Sequence, residues 1–437
     1  MIKEQNFMEE NFEQVGSNER VLLQSLKFLS EKTKIRTIDP TQLTLYSIVH
    51  IGKDGMEVMV IQPDYMDVEE LFPLYKENTY FSKGNKHFGF FSYERFKKHM
   101  GMTDQILEEV KETGYFLRYS RKIGDSILLI PSKQFFTSLY RQLGCQKLPD
   151  IEDPFLHIFT AYLLRDGEPF KMIYREGELI GKAFTCFSTN YSEKPQYEAA
   201  VEFLNEMKPD VEGLVSYYKI THFVTQIRFS IPELYLMLGN KKVEAGVELI
   251  MSDTGDASIT IQSVLSVNGR HIRIGEAVNQ PHKGDIDLAV LVRKYKAKEL
   301  EKLKQLVGNL KKIKSETVSK KRTVTDLLDI IRFSDVAGNK VAKLYYANLE
   351  DAEISLQECV AEVLAIPGSI ENFYRQESLK AAMQRNDERK KGLRSGQYEE
   401  EVGKDLPESV LIKTESAIGS LFTSEKARKL LYGNKQD

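Results

Sequence analysis

The sequence predicts an α+β protein with a mixed N-terminal α/β unit, a strand-rich central domain and a helical C-terminal region. Three observations carry that reading. Helix-like and strand-like segments are mixed over residues 1–150, around a hairpin signal at Lys53-Asp54-Gly55, where Asp-Gly suits the positive φ of a tight turn. Residues 151–290 hold six runs of β-branched and aromatic residues between turn signals. From Asp285 onward, apolar residues recur every three or four positions. The expected domains are therefore 1–150, 151–290 and 291–437.

In the first unit, Val21, Leu22, Leu26 and Leu29 give Ser17–Lys32 a helical spacing, opened by Ser17 or Asn18 as cap. Leu43–Ile51 and Met56–Gln62 flank the Asp-Gly turn as strands. Helices are expected at Asp67–Lys76 and Thr103–Thr113, strands at Tyr115–Ser120 and Ser126–Ile130, and a closing helix at Ser132–Leu143. Leu148–Pro154, with two prolines and three acids, reads as a linker.

The central strands are Phe170–Arg175, Glu178–Ser188, Leu214–Ser230, Gly246–Ser252, Ser258–Val267 and Arg270–Ile274. Helices at Pro154–Leu164, at Glu193–Met207 and around Pro232–Leu238 are interposed, which favours α+β over a βαβ repeat. In the last region Leu288, Leu291, Tyr295, Leu303, Leu306 and Leu310 mark a long amphipathic helix. Val324–Arg332, Ile354–Ala365, Ile370–Arg385 and Glu415–Leu431 follow as helices, with residues 386–407 read as a polar loop.

Of the 437 residues, 41% are hydrophobic and 29% charged, which excludes global disorder. The three cysteines, Cys145, Cys186 and Cys359, lie far apart and point to a reducing cytoplasm. A signal peptide, zinc-ligand spacing and apolar runs near the ~20 residues of a membrane span are all missing, so no membrane partner is expected. Phosphate loops of the Walker or dinucleotide type are also missing, which excludes a P-loop kinase or a dehydrogenase. The 44 Phe and Tyr side chains fill cores, or stack on nucleobases where they are exposed on a basic face.

Net charge is −3, yet residues 293–322 hold twelve bases against three acids, +9 in all, leaving −12 for the rest. Arg293, Lys294, Lys296, Lys298, Lys302, Lys304, Lys311, Lys312 and Lys314 make the first part of that segment. It is either a solvated helix face or a surface that contacts phosphates, each lysine releasing condensed counterions on binding. Flexible lysines supply affinity with little base readout.

Pro281-His282-Lys283-Gly284-Asp285-Ile286-Asp287 is the most chemically suggestive stretch. On a strand, Asp285 and Asp287 would share a face and hold Mg²⁺ against a nucleoside triphosphate, with His282, Lys283 and Gly284 meeting phosphate. In this it resembles the Asp-x-Asp strand of polymerase-β-type nucleotidyltransferases. Those enzymes carry an upstream Gly-Ser, whereas here Gly269-Arg270 and Gly275-Glu276 stand upstream. Alternatively, Asp285 caps the helix that follows, with Asp287 in its first turn, where the helix dipole favours it. Without the Mg²⁺ reading, no cofactor is expected.

The same stretch belongs to a wider pattern. Ile173–Gly177, Phe187-Ser188-Thr189-Asn190-Tyr191, the strand Gly246–Ser252 ending in Ser252-Asp253-Thr254-Gly255, Asn268-Gly269, and then Pro281–Ile286 occur in that order. This order resembles the phage/plasmid-like protein family, a domain of unknown function found in prophages, plasmids and phages. The resemblance spans roughly 125–310, and departs at Ser266-Val267, where family members often carry Cys-Thr. It implies a mobile-element protein at work inside a bacterium. The expectation is a phage accessory protein acting by binding, to nucleic acid or to a host defence protein, and able to form a homo-oligomer through its C-terminal helices. The alternative is the Mg²⁺-dependent nucleotidyltransferase.

Overall fold

A computed structural model describes residues 6–51, 57–62, 80–83, 86–92, 97–98, 101–122, 125–132, 134–145, 160, 163–177, 180–209, 212–255, 257–267, 270–284, 286–330, 349–391, 401–403 and 408–432. The helix expected at Asp67–Lys76, the linker at Leu148–Pro154 and Asp285 lie outside these residues.

Sheets and helices are both present, as the α+β expectation requires. The first helix, α1 (Glu19–Lys32), starts where its sequence says: the Asn18 side chain accepts a bond from the Val21 amide. Thr103 caps α2 (Asp104–Thr113) in the same way, and Gly114 ends it at φ 67°. Helix α3 (Phe135–Gln142) and helix α4 (Gln196–Met207) bury their apolar faces on the sheets.

A six-stranded sheet has the order β1 (Glu13–Gly16), β11 (Leu214–Thr221), β12 (Thr225–Leu238), β13 (Lys241–Met251), β14 (Ile259–Val267), β15 (Arg270–Gln280), all antiparallel. A nine-stranded sheet has the order β2 (Thr33–Ile38), β9 (Phe170–Glu176), β10 (Ile180–Phe187), β8 (Asp125–Pro131), β7 (Tyr115–Lys122), β3 (Leu43–Ile51), β4 (Glu57–Gln62), β6 (Lys86–Ser92), β5 (Tyr80–Lys83). Its pairing is antiparallel except between β8 and β10. Strands β3 and β4 pair antiparallel, as the hairpin signal implied, while its turn Lys53-Asp54-Gly55 lies outside the described residues.

Neither sheet respects the boundary expected at residue 150. Strands β9 and β10 sit between β2 and β8, and β1 pairs with β11. Composition marks a strand locally, but its partner is chosen by which edges and apolar faces meet in space.

A second correction falls at Pro232–Leu238, expected to be helical and found as the end of β12. There Leu236 and Leu238 are buried while Tyr235 and Met237 are exposed, the period-two burial of a strand. Ser230 pairs with Gly246 and Tyr235 with Glu244, so a bulge absorbs Pro232 and its missing N–H.

The C-terminal region carries α5 (Leu288–Tyr295), a π turn (Lys296–Leu300), α6 (Glu301–Leu310) and α7 (Lys320–Asp329). The two helices expected at Ile354–Ala365 and Ile370–Arg385 are one, α8 (Leu356–Lys390), opened by a Ser355/Glu358 capping box. It carries Pro367 inside and extends through 386–390, where a loop was expected. Buried Ile366 and Ile370 hold the helix on its core across the proline. Helices α9 (Glu408–Ser420) and α10 (Glu425–Tyr432) close the described chain. At Gly419 an added Cβ would overlap the Arg273 carbonyl oxygen, so α9 lies directly on the β15 backbone.

Two apolar clusters result. One joins α1, α4, the six-stranded sheet and the C-terminal helices; the other lies between α3 and the nine-stranded sheet. A buried cation ties the nine-stranded sheet to α2 and the N-terminal segment. Lys182 on β10, 1% exposed, meets Glu10 at 2.8 Å and Glu109 at 2.7 Å.

Candidate nucleic-acid interface

The basic segment starts on α5, passes through the π turn and continues along α6. Buried Leu303, Val307 and Leu310 face the core at helical spacing, which turns the charged positions outward. Several of its cations are already engaged. The Lys298 ammonium lies 2.6 Å from Glu276, Lys302 2.9 Å from Glu299 and Lys304 2.7 Å from Glu301, while Lys296 donates to the Glu206 carbonyl. The Glu276 bond raises the Lys298 pKa and lowers that of Glu276. Arg293, Lys294, Lys311, Lys312 and Lys314 are exposed, and Arg293 bonds the Ala289 carbonyl.

Sequence reasoning missed the aromatic beside them. Tyr235, in the part of β12 expected to be helical, is 47% exposed. Its ring has the Lys242 ammonium 5.5 Å from the centroid and that of Lys311 5.9 Å away. Lys242 also pairs with Glu244 on its own strand at 2.5 Å. Exposed Met237 stands two residues along the same face. An exposed ring with two ammonium groups close by offers both a stacking platform and phosphate contacts. The available signal was the alternation Tyr235-Leu236-Met237-Leu238, which a leucine-rich reading hides.

The 281–287 stretch is arranged differently from a metal strand. The cap of α5 is Asp287, two residues beyond the Asp285 expected from the sequence: its Oδ1 accepts from the Val290 amide at 3.0 Å. Among the described residues, no three His, Cys, Asp or Glu side chains are grouped to hold a metal. His282 stacks on Tyr191 at 5.1 Å and 16°, with its ring nitrogens toward the Ala257 and Ser192 carbonyls. Lys283 forms a β-bridge to Tyr191, and Gly284 has φ 67°.

Three stretches distant in sequence meet here. Phe187 stacks on the other side of Tyr191, at 4.0 Å and 6°, and the Tyr191 hydroxyl donates to the Asp253 carbonyl. Gly255, at φ 79°, leaves room for the Phe187 ring that a Cβ would strike. Beneath them Arg175, fully buried, donates to Thr33 Oγ1 and His222 Nδ1 and faces the Asp253 carboxylate at 3.5 Å. Burial lowers the Arg175 pKa, against the pull of Asp253. Apart from Phe187 and Tyr191, four residues apart, these partners come from segments distant in sequence, so their pairing does not show in it.

Elsewhere on the six-stranded sheet, buried Glu248 of β13 pairs with Arg228 of β12 and, across β14, with Arg273 of β15, which also meets Glu415 of α9. No family model matches the chain, and neither a curated protein nor a solved structure is detectably similar to it.

Proposed function

We propose that this chain is an accessory protein of a phage or other mobile element that binds nucleic acid in the bacterial cytoplasm, through the outer surface of α6 and the neighbouring end of β12. The observation that carries the reading is Tyr235, exposed, with the ammonium groups of Lys242 and Lys311 at 5.5 and 5.9 Å from its ring centroid. Exposed Lys312 and Lys314 extend the positive surface beyond it. Ring and lysines together favour single strands, whose unstacked bases can lie on an aromatic face. Three free cysteines and no described helix long and apolar enough to cross a membrane are compatible with the cytoplasm.

The test is fluorescence anisotropy of a labelled oligonucleotide against the full chain, over a salt series. Single strands should bind at low salt and weaken steeply as salt rises. Tyr235→Ala should cost roughly 1–3 kcal/mol with the salt slope kept. Lys311→Ala and Lys312→Ala should each reduce the slope by about one. No binding at low salt would turn the search to a host protein, the other partner named from the sequence.

The nucleotidyltransferase alternative asks for Asp285 and Asp287 on one strand face. Asp287 is a helix cap, and Asp285 lies outside the described residues. Loss of function in Asp287→Asn, which keeps the cap, would restore that reading.

A further inference from the structure

At the β15 edge of the six-stranded sheet, α6 approaches from one side and α9 with α10 from the other. Between them is a cleft of about 380 Å³, a size that suits a small organic ligand.

Two backbone irregularities meet at its floor. Opposite Gln262, strand β15 carries a bulge, since Ile261 pairs with Val278 but Ser263 with Ile274. The bulge includes Gly275 at φ 70° and turns the Glu276 amide toward Glu299 Oε2, 3.4 Å away. The helix facing it widens into the π turn that carries Glu299. Such insertions re-aim side chains and recur at functional sites. Here they bring a carboxylate that is 2% exposed to the cleft wall, balanced by the exposed Lys302 and Lys298.

The lining is zoned. Half-buried Leu306 and Tyr432, backed by buried Leu303 and Phe422, give an apolar wall; Lys302 and the exposed Arg428 bring positive charge. A ligand that satisfies every zone has a flat apolar ring bearing N–H donors and an anionic tail. We infer that the cleft binds a nucleoside phosphate, with the base over Leu306 and Tyr432, a base or sugar donor on Glu299, and the phosphates between Lys302 and Arg428.

The ligand is either a free nucleotide or the terminal nucleotide of a strand lying along α6. The inference does not rest on the Tyr235 surface, because the cleft lies on another flank of α6: Lys302, Leu306 and Asn309 line it, whereas Lys311 faces Tyr235.

Isothermal titration of the full chain with the four ribonucleoside triphosphates, and with pyrophosphate alone, tests it. At least one nucleotide should bind with Kd well below about 1 mM, and more tightly than pyrophosphate. Arg428→Ala, at an exposed position, should weaken that binding about tenfold or more without moving Tm. Glu299→Gln should alter the preference among bases. Competition by a 5′-phosphorylated oligonucleotide, in the Tyr235→Ala background, identifies the strand-end source; no competition identifies the free nucleotide. Absence of nucleotide binding, equal affinity for pyrophosphate, or an unchanged Kd in Arg428→Ala would each overturn the inference. Oligonucleotide binding lost in Tyr235→Ala alone would leave it standing.

Discussion

Arg175 donates from Nη1 to His222 Nδ1 across 2.5 Å, with both side chains buried between the two sheets. That bond makes Nδ1 the acceptor, so the imidazole proton sits on Nε2 and points at the Glu9 carbonyl. One histidine thereby ties β9, the β11–β12 turn and the N-terminal segment together. Burial first, then the Arg175 and Lys182 charges, hold its pKa well below 6.5.

A neutral His222 makes stability depend on acid. The unfolded chain takes up the proton near pH 6.5 and the native one resists it, so the contribution is complete above that pH and lost below it. The stability of the native sequence relative to His222→Gln should fall by up to about 1.4 kcal/mol per pH unit below 6.5. Urea titrations of both proteins from pH 7.5 to 5 measure that difference; a flat difference would refute it.

Glu415 works in the opposite direction. Burial against β15 pushes its carboxyl up to about 7 from 4.5, although the Arg273 guanidinium opposes the shift. The native state therefore holds this proton more tightly, and the stability it gives is complete below 4.5 and lost as pH rises through 7. Relative to Glu415→Gln, the native sequence should lose stability over that window, by a few kcal/mol at most. Between about 4.5 and 6.5 this slope opposes that of His222. A wild-type curve alone would hide both effects, so each must be read against its own variant.

The two positions also show what the sequence could and could not disclose. Asn18 and Thr103 cap helices through partners three residues away, and β3 and β4 on either side of Asp54-Gly55 pair with each other, so local residue types were enough. Arg175 and His222 are 47 residues apart, and Arg273 and Glu415 are 142 apart. A charged residue inside a strand says only that something must compensate it; the compensating side chain depends on sheet order, which crosses the boundary expected at residue 150. Tyr235 failed for another reason. Leucines at 234, 236 and 238 fit a helix by composition and a strand by period, and the period was the better guide.

Lys182 should be far less tolerant than any exposed lysine. It is 1% exposed and its ammonium meets both Glu10 and Glu109. Lys182→Met keeps the length of the stem but leaves the acids facing each other. A loss of roughly 3–5 kcal/mol is expected, because removing one partner strands buried charge. The N-terminal segment should loosen first, since Glu10 belongs to it. Limited proteolysis near residues 6–12 and a lowered Tm are the readouts; a near-neutral Tm would mean the pair of acids is hydrated in solution.

Asp287 separates capping from metal chemistry by a single pair of substitutions. Its Oδ1 takes the Val290 amide at the start of α5, a role that asparagine fills about as well and alanine does not. Asp287→Ala should therefore cost about 1 kcal/mol, and Asp287→Asn almost nothing. A metal-binding carboxylate predicts a different order for function: both variants would lose Mg²⁺ affinity, because the amide carries no charge to hold the ion. Thermal unfolding gives the first comparison, and nucleic-acid binding with and without Mg²⁺ gives the second. If binding in Asp287→Asn equals that of the parent at every Mg²⁺ concentration, the aspartate serves α5 by directing the helix that carries the basic segment away from the strands. If Mg²⁺ dependence vanishes in Asp287→Asn while Tm holds, the cap is a secondary role and the carboxylate belongs to a metal site completed by residues such as Asp285.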